Sequence, residues 1–326
     1  MSESFESSTG LVLRVEALRR VARGVLQIEL VHPDGHALPP FTAGAHIDLK
    51  LPAGRVRSYS LANAPHERHR YVLGVKIDAA GRGGSRWIHE HLRIDTLLAV
   101  STPVNHFELD ESAANTVLIA GGIGVTPIVS MAARLATLGH PHTVHYSVRE
   151  RSDAAFVAER RDVGIDPLAS GLHLHVDAEQ GGALLDIARI VAQAPADSHF
   201  YCCGPAPMLA AYEAATAGLP RHRVHLERFS SNIEIATEGG FEVFLARSQK
   251  AVAVTPGQSI LDALRQAGIG VIASCEQGVC GTCETRVLEG TPEHRDLLLS
   301  EAERARNDVM MICCSGSRSA RLVLDL

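Results

Sequence analysis

Five of the seven cysteines in this 326-residue chain fall between positions 275 and 314. Cys275, Cys280 and Cys283 are spaced C-x4-C-x2-C, and the adjacent Cys313 and Cys314 follow further on. Three thiolates on one tight loop, with a fourth from a distant strand, are the arrangement that holds a 2Fe–2S cluster. Gly278 and Gly281 lie inside the loop. Glycine accepts positive φ, so the backbone amides there can turn toward sulfur and donate to it. A structural zinc site favours paired C-x2-C units, and one x4 gap, one x2 gap and a lone distant position do not fit it. Spacing alone leaves Cys313 and Cys314 both open as the fourth ligand.

A second constellation suits a flavin. Arg57-Ser58-Tyr59-Ser60 ends a run of alternating residues. An arginine there can clamp a phosphate, a tyrosine can pack on an isoalloxazine ring, and Ser60 can bond to flavin N5. Gly81-Arg82-Gly83-Gly84-Ser85 then precedes a helical segment, SRWIHEHL. With Ser85 as N-cap, a glycine loop feeding a helix start presents free amides to an anion.

A third suits a dinucleotide. Gly121-Gly122-Ile123-Gly124-Val125-Thr126-Pro127 joins a short apolar run to a helical one. Thr126 is placed to cap and Pro127 suits a first helical turn, so a pyrophosphate can rest on these amides. The generic G-x-G-x-x-G fingerprint is absent. A later apolar run ends in Cys202-Cys203-Gly204-Pro205, at the carboxyl edge where parallel sheets bind ligands. Cys202 reads as a small buried hydrophobe, and Cys203 is expected beside a nicotinamide.

The surrounding patterns say how these loops are held. Residues 11 to 110 alternate apolar and polar in short runs separated by turns, which predicts a small antiparallel β-barrel. From about 115, strand-like runs (TVLIAGG, HTVHYSV, LHLHVDA, HFYCCGP) alternate with helix-length segments, which predicts a doubly wound parallel sheet. SSNIEIATEGG reads as a linker. FEVFLA and KAVAVTP read as a hairpin and SILDALRQAG as a helix, before the cysteine loop. Three domains are expected, at 1–111, 112–232 and 233–326.

The formal net charge is −6. No basic field marks a nucleic-acid partner or an anionic lipid surface. The acidic start MSESFESSTG is unlike a signal peptide, and no apolar run is long enough to span a membrane, so a cytoplasmic location is expected. The seventeen histidines supply no spacing that assigns a ligand or a catalytic base.

The ordered motifs RSYS, GRGGS, GGIGVTP, CCGPAPM, ERF and the cysteine loop resemble the phthalate dioxygenase reductase family over essentially the whole chain. The resemblance implies an FMN barrel, an NAD(H) domain and a β-grasp, plant-type 2Fe–2S ferredoxin domain, in that order. It implies FMN contacts from Arg57, Ser58, Tyr59, Ser60, Gly83, Gly84 and Ser85. It implies nucleotide contacts from Gly122, Gly124, Thr126, Pro127, Cys203 and Gly204, and places Glu227 and Phe229 near the flavin. Ser60, Cys203 and Glu227 are then the residues expected at the reacting centre. Ferredoxin-like domains place the fourth ligand after an apolar pair, here Met311-Ile312, which selects Cys313 with Cys275, Cys280 and Cys283. After the second strand of the nucleotide domain come Arg149, which suits an NADP phosphate, and Glu150, which suits the NAD ribose. The family favours NAD. Its P-R-N-x-F-x-L stretch reads Pro103-Val104-Asn105-His106-Phe107-Glu108-Leu109 here, without the arginine.

The implied protein is a monomeric NADH-dependent flavin iron–sulfur reductase whose partner is a terminal Rieske oxygenase of aromatic hydroxylation or O-demethylation. The alternatives are a reductase serving another acceptor, such as a cytochrome P450, and a non-catalytic iron–sulfur redox sensor.

Overall fold

Alternating residues from Gly10 onward pair as antiparallel strands, as the pattern predicts. The structure, a computed structural model, describes residues 10–52, 54–79, 81–157, 171–230 and 233–326. Two units emerge, Met1–Arg228 and Phe229–Leu326. The first unit contains two sheets, and the expected 111/112 boundary falls between them.

The first sheet comprises β1 (Gly10–Ala22), β2 (Val25–Val31), β3 (His46–Leu51), β4 (Arg55–Ser60), β5 (Tyr71–Lys76) and β6 (Leu97–Ser101) in the order β4-β3-β6-β1-β2-β5. A bridge between Leu61 and Leu73 links its two edges and closes the barrel. Leu13, Ile28, Ile47, Leu49, Leu73 and Val100 fill the interior. Helix α1 (Gly84–His91) begins one residue earlier than expected. Its N-cap is Gly83 at φ 80°, not Ser85. The Ser85 hydroxyl instead accepts a 3.0 Å hydrogen bond from the Asp78 amide, tying the glycine loop to the end of β5.

The second sheet is wholly parallel: β7 (Thr116–Gly121), β8 (His142–Val148), β9 (Leu172–Val176), β10 (His199–Cys203) and β11 (Val224–Glu227), ordered β11-β10-β7-β8-β9. Chain direction across the sheet reverses between β7 and β10, and ligands of such sheets bind at that switch point. Helix α2 (Val125–Leu138) covers one face, where Leu118, Ala120, Tyr146 and Tyr201 are buried. Helices α3 (Ile187–Gln193) and α4 (Ala206–Thr216) cover the other, over Val117, Ile119, Phe200 and Cys202. Cys202 is thus the packing residue expected of it.

Barrel and parallel sheet are fastened together within this unit. The Arg23 guanidinium donates two hydrogen bonds to Asp153, at 2.8 and 3.0 Å. Ser130 of α2 donates to the Asn63 carbonyl. Gly74 of β5 lies so close to the nucleotide loop that a Cβ there would meet Thr126 Cγ2 at 2.6 Å. The stretch lacking the family arginine has a structural task that needs no charge. The Asn105 amide donates to Thr42 and to the Ala43 carbonyl, and Phe107 packs edge-on against Tyr201, with ring centroids 5.7 Å apart.

The second unit carries β12 (Phe241–Leu245), β13 (Lys250–Val254), α5 (Ile260–Gln266), β14 (Glu284–Glu289), β15 (Pro292–Glu293), α6 (Glu301–Arg306), β16 (Val309–Met311), β17 (Gly316–Ser317) and β18 (Arg321–Leu324). β12 and β13 form the expected hairpin, and β12 pairs in parallel with the final strand β18. This mixed sheet with one helix packed on it is a β-grasp fold. Helix α5 starts at a capping box in which Ser259 and Asp262 satisfy each other's amides. The segment expected as a linker is partly core. Ile233 and Ile235 pack on the buried cluster, and the Ala236 amide donates to the Cys314 carbonyl. The alternation of isoleucines in that polar stretch is the cause.

Candidate functional site

The cysteine loop leaves α5 and turns back through three residues at positive φ: Glu276 (52°), Gly278 (66°) and Gly281 (77°). That path aims peptide N–H groups inward. Gln277 and Val279 donate to Cys275 Sγ at 3.3 and 3.5 Å, and the Cys275 amide donates to Cys280 Sγ at 3.4 Å. The Gly278 amide is in hydrogen-bonding reach of Cys313 Sγ. Cys313 Sγ in turn is in bonding reach of the Cys275 and Cys283 thiols, so the three loop cysteines and Cys313 converge. Cys314 Sγ is in bonding reach of Cys313 Sγ but not of the loop thiols; it donates to the Met311 carbonyl at 3.7 Å and lies beside Ser315.

Crowding splits the thiols electrostatically. The Cys275 thiol and neighbouring donors bring Cys280 down to about 6, and hydrogen bonds from Cys275 and Cys283 hold Cys313 well below the ordinary thiol range. Cys275 and Cys283 are raised, because neighbouring thiols share their hydrogens and burial opposes charge. Four thiolates this close need a polycation between them, and amide donors around the sulfurs suit the excess negative charge of an iron–sulfur cluster. Cys283 and Cys313 are buried, while Cys275 and Cys280 are half-buried, so the loop side of the site faces outward.

At the barrel end of the first unit, Arg57 leaves β4 and lies along the start of α1. A Cβ on Gly84 would meet Arg57 Nε at 2.7 Å, so only glycine admits the guanidinium there. Arg57 also donates to the Arg82 carbonyl at 3.2 Å. Arg55, two residues earlier on the same strand face, brings its Nη1 to 3.5 Å from where a Gly83 Cβ would be. Two guanidiniums and a helix start therefore converge, a geometry that fits a flavin phosphate. Sequence reading missed Arg55, although its signal, an arginine in phase with Arg57 on one strand, was present. Ser58 donates to Asp48 at 2.6 Å across the β3–β4 ladder, Tyr59 packs partly into the barrel core, and Ser60 is buried. Burial raises the Tyr59 hydroxyl well above its ordinary range.

At the switch point the two glycine loops interlock. A Cβ on Gly124 would meet the Cys203 carbonyl oxygen at 2.3 Å, and one on Gly121 would meet Pro205 Cδ at 2.6 Å. A Cβ on Gly204 would meet Met208 Sδ at 2.6 Å. Gly122 takes φ 53°, and Lys76 Nζ, at the end of β5, comes within 4.0 Å of its Cβ position. The Thr126 hydroxyl donates to the Ile123 carbonyl rather than capping, because α2 starts at Val125 with Gly124 as its N-cap. Pro127 occupies the first turn as expected. The amides around Gly122 and Gly124 thus remain at a helix start, open to a pyrophosphate.

Cys203 and Glu227 are register partners on β10 and β11, and their side chains hydrogen-bond. Burial pushes the Glu227 carboxyl up to about 8 and the Cys203 thiol well above its ordinary range. Glu227 Oε2 is shielded and has no bonding partner among the described residues. Arg149 is exposed at the end of β8. Beside it Arg151 is held by Glu179 through two hydrogen bonds of 2.8 and 2.7 Å, and the Glu150 side chain closes a capping box with Asp153. Phe229 begins the second unit and is exposed.

A parallel-sheet switch point beside a barrel anion site, in a chain that also carries four converging thiols, defines a pyridine-nucleotide-dependent flavin iron–sulfur reductase. The comparisons agree. Residues 243–317 match the family described as 2Fe-2S iron-sulfur cluster binding domain. The chain is 54% identical over 314 residues to phenoxybenzoate dioxygenase subunit beta of Ectopseudomonas oleovorans, covering 96% of this chain and 97% of that one. The solved structure of phthalate dioxygenase reductase, described as modular for electron transfer from pyridine nucleotides to [2Fe-2S], aligns at TM-score 0.72 and 36% identity, over 97% of this chain and 98% of that one. An intact type IV self-sufficient cytochrome P450 monooxygenase aligns at TM-score 0.83 and 38% identity, over 97% of this chain, which spans 41% of that protein. The chain belongs to the phthalate dioxygenase reductase family. It is an oxidoreductase that carries electrons from a pyridine nucleotide through a flavin to a 2Fe–2S cluster. Among the described residues, no helix is long and apolar enough to cross a membrane.

Proposed function

We propose that this chain is the NADH-dependent, FMN-containing reductase component of a Rieske-type oxygenase system acting on an aromatic compound. The bound groups supply hydride acceptance from reduced nicotinamide and one-electron storage; the chain's residues bind, orient and shield them. Arg55, Arg57 and the start of α1 at Gly83 and Gly84 hold the flavin phosphate, with Ser85 fixing the loop. Ser58, Tyr59 and Ser60 border the ring system, with Ser60 toward N5. The amides around Gly122 and Gly124, with Thr126 and Pro127 shaping the helix start, hold the nucleotide pyrophosphate. Cys203, Gly204 and Glu227 border the nicotinamide and keep water out. Arg149 and Glu150 lie toward the adenosine ribose, where Glu150 suits the hydroxyls of NAD. Cys275, Cys280, Cys283 and Cys313 ligate the cluster. The working division is three domains, 1–111, 112–232 and 233–326, in a cytoplasmic monomer.

The observation that supports this most is the interlock of Gly124 with the Cys203 carbonyl beside the Cys203–Glu227 pair. It brings the two glycine loops together where the switch point packs against Gly74 of β5. The relative named as a phenoxybenzoate dioxygenase subunit points to an aromatic substrate for the system and to an oxygenase as acceptor. The alignment with a self-sufficient cytochrome P450 favours a second reading, in which the acceptor is a haem monooxygenase.

The test is to release and identify the flavin, compare NADH with NADPH as reductant, and supply purified Rieske oxygenase or P450 as acceptor. FMN release, preference for NADH and rapid Rieske-centre reduction are expected. Release of FAD, or failure to reduce any Rieske protein alongside rapid P450 reduction, would overturn the assignment in the corresponding part.

A further inference from the structure

Behind the cysteine loop lies a carboxylate that none of the roles above uses. Asp296 is 1% exposed, and its side chain is wholly buried. One oxygen, Oδ2, accepts the Leu298 and Leu299 amides at 3.1 and 2.7 Å. Arg304 of α6 reaches back to it, with Nη2 bonded to the Asp296 carbonyl and 3.6 Å from Oδ2. The other oxygen, Oδ1, has no hydrogen-bond partner among the described residues, and His294 Nδ1 lies 3.8 Å from it. Burying a carboxylate costs several kcal/mol unless it is fully compensated. Helix capping does not account for that cost, because α6 is capped by its own box of Ser300 and Glu303.

What the residue holds is the cluster loop. The Leu297 amide, next in chain, donates to the Gly278 carbonyl at 2.9 Å. The Val279 amide, in the same peptide as that carbonyl, donates to Cys275 Sγ at 3.5 Å. A Cβ on Gly278 would meet Asp296 Cα at 2.9 Å and Cys314 Sγ at 2.7 Å, so the backbones are in direct contact. A fixed route thus runs from Arg304 through Asp296 and Leu297 to the peptide facing Cys275.

We propose that Asp296 is a positioning residue for the 2Fe–2S site: it fixes the Gly278–Val279 peptide, whose amide faces Cys275, and, through its buried charge, sets how readily the cluster accepts an electron. Amide donors to sulfur favour the reduced, more negative cluster, and a nearby carboxylate disfavours it. The two effects act through one side chain and separate on substitution. Asp296→Asn keeps an oxygen for the Leu298 and Leu299 amides while removing the charge. The inference rests on Cys275 as a cluster ligand.

The test is a spectroelectrochemical titration of the full-length holoprotein, with EPR of the reduced cluster. Asp296→Asn should hold a normal cluster load, keep the parent EPR g-values and be easier to reduce by about tenfold, which is about 59 mV for one electron. Asp296→Ala, which also frees the loop, should change the g-values or lose cluster. Arg304→Met, which leaves the carboxylate without its cation, should shift the potential in the opposite direction to Asp296→Asn. It decides the matter if Asp296→Asn fails to load. A loaded Asp296→Asn protein with the parent potential would overturn the proposal, and so would an unshifted Arg304→Met protein. A full cluster retained on Cys275→Ser would sink the ligand reading instead.

Discussion

Cys203 and Glu227 face one another as register partners across the edge ladder of the parallel sheet, with the Glu227 carboxyl pushed by burial up to about 8. At neutral pH the carboxyl therefore carries its proton and donates or accepts locally instead of repelling a nucleotide. Glu227→Gln keeps shape and neutrality, so it should leave NADH-driven flavin reduction within a few-fold of the parent at pH 7. Glu227→Ala removes that shape and should slow that reduction by about 10²-fold. Stopped-flow absorbance at the flavin band under anaerobic conditions separates the two.

The same carboxyl makes a stability prediction with a definite sign. Its folded value, about 8, lies above the ordinary 4.5. The folded state holds the proton more tightly, so this contribution is fully present below about pH 4.5 and is lost as pH rises through 8. Glu227→Gln should flatten the fall of unfolding temperature between those limits. An unchanged slope would mean that Glu227 ionises freely in the folded protein.

Two histidines act in the opposite direction. Burial, aided by His173, depresses His145 to about 4, and burial with His199 does the same to His225. Each contributes stability above its ordinary 6.5 that is lost as pH falls toward 4. Denaturant unfolding at several pH values should show this loss for the first unit. His145→Asn or His225→Asn should each reduce it by roughly 1–2 kcal/mol, the full linkage value being cut by solvent screening at these half-buried rings.

Gly124→Ala tests the switch-point packing. A methyl group would fall 2.3 Å from the Cys203 carbonyl oxygen, and neither backbone can yield cheaply. The KM for NADH should rise at least about tenfold, with about 1–3 kcal/mol of stability lost, while flavin and iron content stay at parent levels. Parent-like NADH kinetics would place the nucleotide elsewhere.

Cys313→Ser and Cys314→Ser test the thiol set. The first should abolish the visible iron–sulfur bands, and the second should retain them, since Cys314 Sγ is engaged with the Met311 carbonyl. Iron analysis together with absorbance reads the result directly.

Much of this was legible in the sequence, for reasons that differ by element. The cysteine loop is local, so its spacing carries its geometry, and the strand–glycine–helix order placed both nucleotide loops at one sheet edge. Ser85 was misread as a cap because Gly83, at positive φ, starts the helix earlier and frees the hydroxyl for the Asp78 amide. Arg55 was missed because its relation to Gly83 depends on how β4 meets α1 across a long chain separation. The segment 230–240 reads as a linker by composition, yet Ile233 and Ile235 in it have a core to bury in. Spacing leaves Cys313 and Cys314 equivalent; the two thiols reach one another, and Cys313 also reaches Cys275 and Cys283.

The central claim is a single electron route from nicotinamide to cluster within this chain, and an anaerobic NADH titration followed by visible absorbance tests it most directly. Bleaching of both the flavin and the iron–sulfur bands by NADH, at lower concentrations than NADPH requires, is the predicted result. A protein loaded with flavin and cluster whose bands respond to neither nucleotide would contradict the account.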